Sequence, residues 1–204
     1  MVSLKKEKNL WKKGFKFVVG IDEAGRGAVA GPLFVGAVLV KKTKKNIPFL
    51  EKIKDSKKLS PKKREFFFNF FSKFPGIEWV VTKVSPKKIE KIGIQKATFL
   101  AIKRAVEKLK KKSKVDFLIL DGKLKLNLKI PFDSVVKGDE KIFCCALASI
   151  FAKVKRDKLM ERYSKIYPQY SFWKNKGYLT KEHYLALKKY GISKIHRLNF
   201  LCSI

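Results

Sequence analysis

Histidine occurs twice and cysteine three times in the 204 residues of this chain. So few nitrogen and sulfur ligands, at the spacings present, leave no zinc-site pattern and no disulfide framework. A reducing, cytosolic compartment fits that cysteine usage best. Acids are scarce as well, with 17 Asp and Glu against 49 Lys and Arg and a formal net charge of +32. No uncharged run is long enough to span a bilayer. The N-terminal MVSLKKEKNLWKKGFK is basic but lacks the apolar centre of a signal peptide. Neither internal repeats nor low-complexity linkers interrupt the chain.

What is present is a chain with 46 % hydrophobic residues, enough for one sizeable core. Its positive charge costs stability through self-repulsion unless a polyanion offsets it, and nucleic acid is the first candidate partner. An anionic membrane surface is the second. A general preference for lysine accounts for part of the excess, so charge alone names no function.

Strand-like and helix-like segments alternate. Residues 1–15 read as a basic, loosely ordered lead-in, and 16–204 as one domain. KFVVGID (16–22) and PLFVGAVLV (32–40) read as two buried strands joined by a glycine-rich, hairpin-like connection. KKTKKN (41–46) reads as a solvated loop. Ser60 with Pro61, and Ser85 with Pro86, are helix-start signals. IEWVVTKVS (77–85) and DFLILDG (116–122) read as strands, and PFDSVVKGDE (131–140) holds a short one. Helical stripes cover 60–74, 94–112, 142–166 and 180–191, the third carrying Cys144 and Cys145 as buried small hydrophobes. This order predicts an α/β fold, a mixed sheet with helices packed on it.

Against the shortage of acids, four carboxylates stand out. Asp22 and Glu23 follow FVVGI, Asp121 follows FLIL, and Asp139 follows VVKG. Ligand sites in such sheets gather beyond the carboxyl ends of strands. Any one of these acids could cap a turn or pair with a lysine. Four brought together would repel one another unless cations relieved them. Oxygen-only ligands suit Mg²⁺ or Mn²⁺, and two such ions can clamp both oxygens of a phosphodiester displacement. Asp157, mid-helix beside Arg156, reads instead as a structural ion-pair residue.

Gly25-Arg26-Gly27-Ala28-Val29-Ala30 matches the dinucleotide pattern, but strand rather than helix follows it, which argues against a nucleotide cofactor. Its glycines either form a small anion-binding nest or merely turn the chain. Tyr178 beside Gly177 could simply cover a helix end. His183 and His196 read as surface or phosphate-adjacent residues.

GIDEAGRGAVAGPL, DSKKLS (55–60), LDG (120–122), KGDEK (137–141), ASIFAKVKRD (148–157) and NKGYLT (175–180) together resemble ribonuclease HII, over roughly residues 17–200. The resemblance implies a ribonuclease H-like mixed sheet of about five strands, flanking helices and a helical C-terminal region. It implies metal-dependent endonucleolytic hydrolysis of RNA in an RNA–DNA hybrid, or 5′ of a single ribonucleotide in duplex DNA, leaving 5′-phosphate and 3′-hydroxyl ends. Asp22, Glu23, Asp121 and Asp139 would be the catalytic, metal-binding carboxylates. Gly25, Arg26 and Gly27 would read the 2′-hydroxyl. Tyr178 would pack on the following sugar, and Ser56 and Lys57 would lie near the substrate backbone. The family expectation is a monomer, and no protein-docking motif is recognisable. Asn175, Leu179, Phe143, Ala146 and Leu147 depart from the usual pattern, the first two beside Tyr178. A non-catalytic basic nucleic-acid binder is the alternative, for it needs the charge but not the four acids.

Overall fold

The computed structural model describes residues 1–42, 47–53, 59–122 and 128–201. In chain order the elements are α1 (Lys5–Lys12), β1 (Phe17–Ala24), β2 (Leu33–Lys41), α2 (Pro61–Phe71), β3 (Ile77–Val84), α3 (Pro86–Ile92) and α4 (Ile94–Lys110). They continue with β4 (Phe117–Asp121), β5 (Phe132–Val135), α5 (Phe143–Ile166), α6 (Phe172–Asn175) and α7 (Lys181–Tyr190). The expected solvated loop at 41–46 falls largely outside the described residues, and Ser56 and Lys57 wholly so.

The five strands form one mixed sheet in the order β3-β2-β1-β4-β5. β1, β2 and β3 pair antiparallel, while β4 and β5 run parallel to β1. Successive residues of a strand face opposite sides, so β1 sends Val18 into one core and Val19 and Ile21 into the other. The first core is roofed by α1, α2 and α5, with Phe67, Phe71, Phe143 and Phe151 at its centre. The second lies under α4, through Ala97, Ala101, Ile102, Ala105 and Leu109.

The helix starts read from sequence hold. The hydroxyls of Ser60, Ser85 and Thr180 accept from the backbone N–H of Lys63, Lys88 and His183 at 3.3, 3.3 and 3.2 Å. Each satisfies one of the amides a helix leaves unpaired at its start.

Two glycines set the distance between sheet and helix. A Cβ at Gly20 would collide with the backbone of Cys144 and Cys145, and one at Gly36 with the carbonyl of Ala148. Helix α5 therefore rests directly on the backbone of β1 and β2. Asp22 is the register partner of Gly36, so this contact brings Ser149, next after Ala148, over Asp22.

The lead-in is not loose. Helix α1 buries Leu10 and Trp11 on the α5 side of the sheet. Ser3 bridges to Ile142, donating its N–H to the carbonyl of Lys141 at 3.0 Å and accepting from Phe143 at 3.2 Å. The Glu7 carboxylate, fully buried, accepts the N–H of Cys144 at 2.8 Å. Helix α5 has no side-chain cap from its own flanking residue Ile142. Glu7, 137 residues away, supplies one. The lysines surrounding Leu10 and Trp11 hide this anchor in the sequence.

Candidate active site

The parallel register of β1 and β4 pairs Ile21 with Leu120, so the next step along both strands sets Asp22 beside Asp121. The sequence reading ended β1 at Asp22. Pairing with β2 in fact continues through Glu23 with Val35 and Ala24 with Phe34, so both acids lie within the strand. Asp139 is likewise displaced from its expected strand end. β5 stops at Val135, and Asp139 sits on a one-turn 3-10 helix, Gly138–Glu140, entered through Lys137 at φ 59°. That turn is fixed to the site, since the Gly138 N–H donates to Asp121 Oδ1 at 2.7 Å.

One carboxylate oxygen each from Asp22, Asp121 and Asp139 lies within 4.8 Å of the others. Asp22 and Asp139 are buried. Burial above all, then repulsion from Asp121 and Glu23, pushes the Asp22 carboxyl well above the usual carboxylate range. Hydrogen bonds from Ser149 and from the Glu23 N–H pull the other way. Glu23 is half-buried and pairs with Arg26 at 3.3 Å. The four acids picked out by sequence thus gather at one end of the sheet, three of them tightly.

A cleft of about 400 Å³ opens over Asp22, Glu23 and Asp121, and Gly25, Arg26, Gly27 and Tyr178 also line it. Ser149, Lys153 and Arg64 complete its walls, and the sequence reading gave none of them a role there. The signal for the first two was their position in ASIFAKVKRD. Arg64 carried no local signal, because it comes from α2 and enters through tertiary packing.

The connection between β1 and β2 is held from beneath by two buried arginines. Arg156 donates to the carbonyls of Pro32, Ala30 and Lys176 at 3.2, 3.1 and 2.8 Å. Arg197 donates to Gly31 at 2.9 and 2.7 Å and to Arg26 at 3.0 Å. Gly25 has φ +80°, and any Cβ there would strike the Arg156 guanidinium. Its glycine is therefore required by the arginine below it. Gly27 is exposed and faces open space.

Tyr178 reaches the cleft on a loop braced against this connection. Val29 and Ala30 donate their N–H groups to the Gly177 carbonyl at 2.9 and 3.1 Å. Asn175 is buried and closes the loop, donating to the Tyr170 carbonyl at 2.6 Å and accepting from the Gly177 N–H at 2.7 Å. The Tyr178 ring is partly exposed, with the Arg156 guanidinium 5.4 Å and the Lys153 ammonium 5.7 Å from its centre. Asp157 is an ion-pair residue as expected, with Lys153 at 2.9 Å and Arg64 at 3.7 Å.

The two histidines are not at the surface. His183 and His196 are both buried and face each other behind the Tyr178 loop. Tyr170 and Phe172 pack edge-on around them, which single-residue reading of a basic tail could not reveal.

Residues 19–202 match the family model described as ribonuclease HII. The chain belongs to the ribonuclease HII family. A ribonuclease HII from Endomicrobium trichonymphae is 48 % identical over 95 % of this chain and 90 % of its own length. One from Caldicellulosiruptor saccharolyticus is 44 % identical over 97 % and 93 %. Among solved structures, the chain resembles one from the complex of PCNA with RNase HII of Archaeoglobus fulgidus. That match has a TM-score of 0.74 and 25 % identity, over 90 % of this chain and 93 % of that one. Membership makes the chain a hydrolase of the ribonuclease H class, and the five-stranded mixed sheet is the expected ribonuclease H fold. Among the described residues, no helix is long and apolar enough to cross a membrane.

Proposed function

We propose that this family member hydrolyses the RNA strand of RNA–DNA hybrids and incises duplex DNA 5′ of single embedded ribonucleotides. The products carry 5′-phosphate and 3′-hydroxyl ends, and the enzyme acts as a cytoplasmic monomer. The observation that carries this reading is the triad of oxygens from Asp22, Asp121 and Asp139 within 4.8 Å. The donor set fits hard divalent ions, being oxygen-only, partly buried and self-repelling without a cation. Asp22, Glu23, Asp121 and Asp139 would hold Mg²⁺ or Mn²⁺, two ions in all, whose Lewis acidity would serve to activate water and stabilise the departing 3′-oxygen.

The chain's own groups do the rest. Ser149 orients the Asp22 carboxylate through its hydrogen bond. Arg26, held beside Glu23, and the backbone at Gly25 and Gly27 bound the part of the cleft where a 2′-hydroxyl would be read. Tyr178 offers a ring face to the adjoining sugar. Lys153 and Arg64 add positive charge to the lining for phosphate. Ser56 and Lys57 are assigned to the substrate backbone by resemblance alone. The test is a DNA duplex bearing one ribonucleotide, incubated with Mg²⁺ or Mn²⁺. A single nick on the 5′ side of that nucleotide is expected. Tight binding with no nick under either ion would instead favour a non-catalytic binder.

A further inference from the structure

A second concavity, about 760 Å³, lies on the far side of α5 from the carboxylates. Its cations are Lys83 of β3, Arg104 and Lys108 of α4, and Lys155, Lys158 and Arg162 of α5, all exposed. No carboxylate lines it among the described residues. Its floor is apolar, made by Phe34, Trp79 and Leu159, and the Lys155 ammonium stands 5.0 Å from the Phe68 ring and 5.5 Å from that of Trp79. Three separate elements thus converge six cations on one trough. Of the six, Lys158 pairs with Glu65 of α2, which lies outside the lining.

The trough adjoins the cleft across a thin wall. The wall between them is a single layer in which Ala24, which lines the cleft, packs with Phe34, which lines the trough, and with Ala152. On α5, Lys155, Lys158 and Arg162 lie at i, i+3 and i+7 on the trough face, while Lys153 lies on the face toward the cleft. From Lys155 to Arg162, seven residues of helix cover about 10.5 Å. One strand of a duplex carries a charge about every 3.4 Å, so this row spans about three phosphates. Beyond it, Trp79 and Lys108 are shared with a further recess lined by Lys111 and Lys112. The trough offers ammonium and guanidinium donors and few groups that could accept from a base edge, which is the chemistry of backbone contact without sequence readout.

We infer that this trough is a second nucleic-acid site, taking the phosphate backbone of the duplex DNA that flanks the cleavage position on one side. The inference rests on the ribonuclease reading for its ligand. It adds that a duplex flank long enough to reach the trough on that side raises affinity and leaves the chemical step alone.

The test combines Arg104→Gln, Lys108→Gln and Arg162→Gln in one protein. A control carries Lys8→Gln, Lys12→Gln and Lys13→Gln, three exposed charges in or beside α1, the last two beside Phe117 at the opposite end of β4 from Asp121. Binding is measured in an Asp22→Asn background, so that the substrate stays intact. The substrates are ribonucleotide-bearing duplexes with twenty base pairs on both sides, or four on one side and twenty on the other, in both arrangements. The trough variant should lower the slope of log affinity against log salt by about 2 to 3. The loss should appear on the doubly long duplex and on only one of the one-sided duplexes. Turnover at saturating substrate, measured with Asp22 intact, should not change. Unchanged binding throughout, equal loss on all three duplexes, or equal loss in the control would each overturn the inference. If the unsubstituted protein nicks none of the duplexes, the ribonuclease reading fails, while the binding comparison still decides whether the trough holds DNA.

Discussion

His183 Nε2 lies 3.0 Å from His196 Nε2, and the neighbours of the two rings fix where their protons are. His183 Nδ1 faces the Tyr178 carbonyl at 2.9 Å and must donate to it. Its Nε2 is then an acceptor, and His196 Nε2 is the donor. His196 Nδ1 accepts from the Ser193 N–H at 2.8 Å, which agrees. The chain of hydrogen bonds is complete only while both rings are neutral, and it ends on the loop that carries Tyr178.

Acid should therefore loosen the C-terminal region. Burial, then repulsion from His183, pushes His196 down to about 4, and burial lowers His183 as well. A histidine depressed on folding contributes stability that is full above its unfolded pKa of about 6.5 and is lost as pH falls toward the folded value. For His196 alone the loss is on the order of 3 kcal/mol between pH 6.5 and 4. Denaturant midpoints across this range should fall steeply in the native protein and more gently in His196→Gln. Parallel pH curves for the two proteins would count against the paired histidines as the cause.

Asp22→Asn removes one member of a self-repelling cluster. Nicking should fall by at least about 100-fold, the upper end of what outer-shell changes at metal sites cost. The melting temperature without added divalent ions should rise, because a carboxyl whose pKa is raised on folding destabilises the native state at neutral pH. Unchanged nicking would remove Asp22 from the chemistry, and a lowered melting temperature would show that its repulsion had been misjudged.

Much of this site was legible because its acids sit in short apolar runs whose ends a strand pattern locates. Asp22, Glu23 and Asp121 were placed within a residue or two of their strand ends by period and composition alone. Asp139 was found by the same route although its 3-10 turn was not. Residues that depend on tertiary approach stayed hidden: Arg64, the buried histidines, and α1 with its cap. Glu7 reads as one more charge in a lysine-rich segment, since nothing local to it says that Cys144 lies opposite.

Glu7 separates two effects of one carboxylate. Glu7→Ala takes away the acceptor for the Cys144 N–H and should cost about 0.5–2 kcal/mol, the range for lost helix caps. Glu7→Gln keeps an acceptor and removes a buried charge whose pKa burial has raised. It should match or exceed the native stability at pH 7 in chemical denaturation. Equal losses for both variants would mean that the charge itself matters.

Tyr178→Ala should lower activity at a single embedded ribonucleotide more than on a long RNA–DNA hybrid, measured as kcat/KM on each. A hybrid presents many registers to the cleft, whereas a lone ribonucleotide presents one. Equal reductions would make the ring a structural cover for Arg156 and Lys153.

Gly36→Ala should destabilise by about 1–3 kcal/mol, the usual cost of overpacking, because the added methyl meets the Ala148 carbonyl. Lifting α5 there also moves Ser149 from Asp22, so nicking should fall beyond what lost stability explains. Activity measured well below the melting temperature distinguishes the two contributions.

Arg156 and Arg197 together aim six hydrogen bonds at backbone carbonyls, five of them at the connection between β1 and β2 and one at Lys176. That connection is thus ordered when the chain folds rather than when a ligand arrives. Little conformational freedom is left for a substrate to remove, so capture is a matter of arrival and orientation. The speed of arrival is then governed by the surplus of surface charge, and association rates should track ionic strength far more closely than any rearrangement of the cleft.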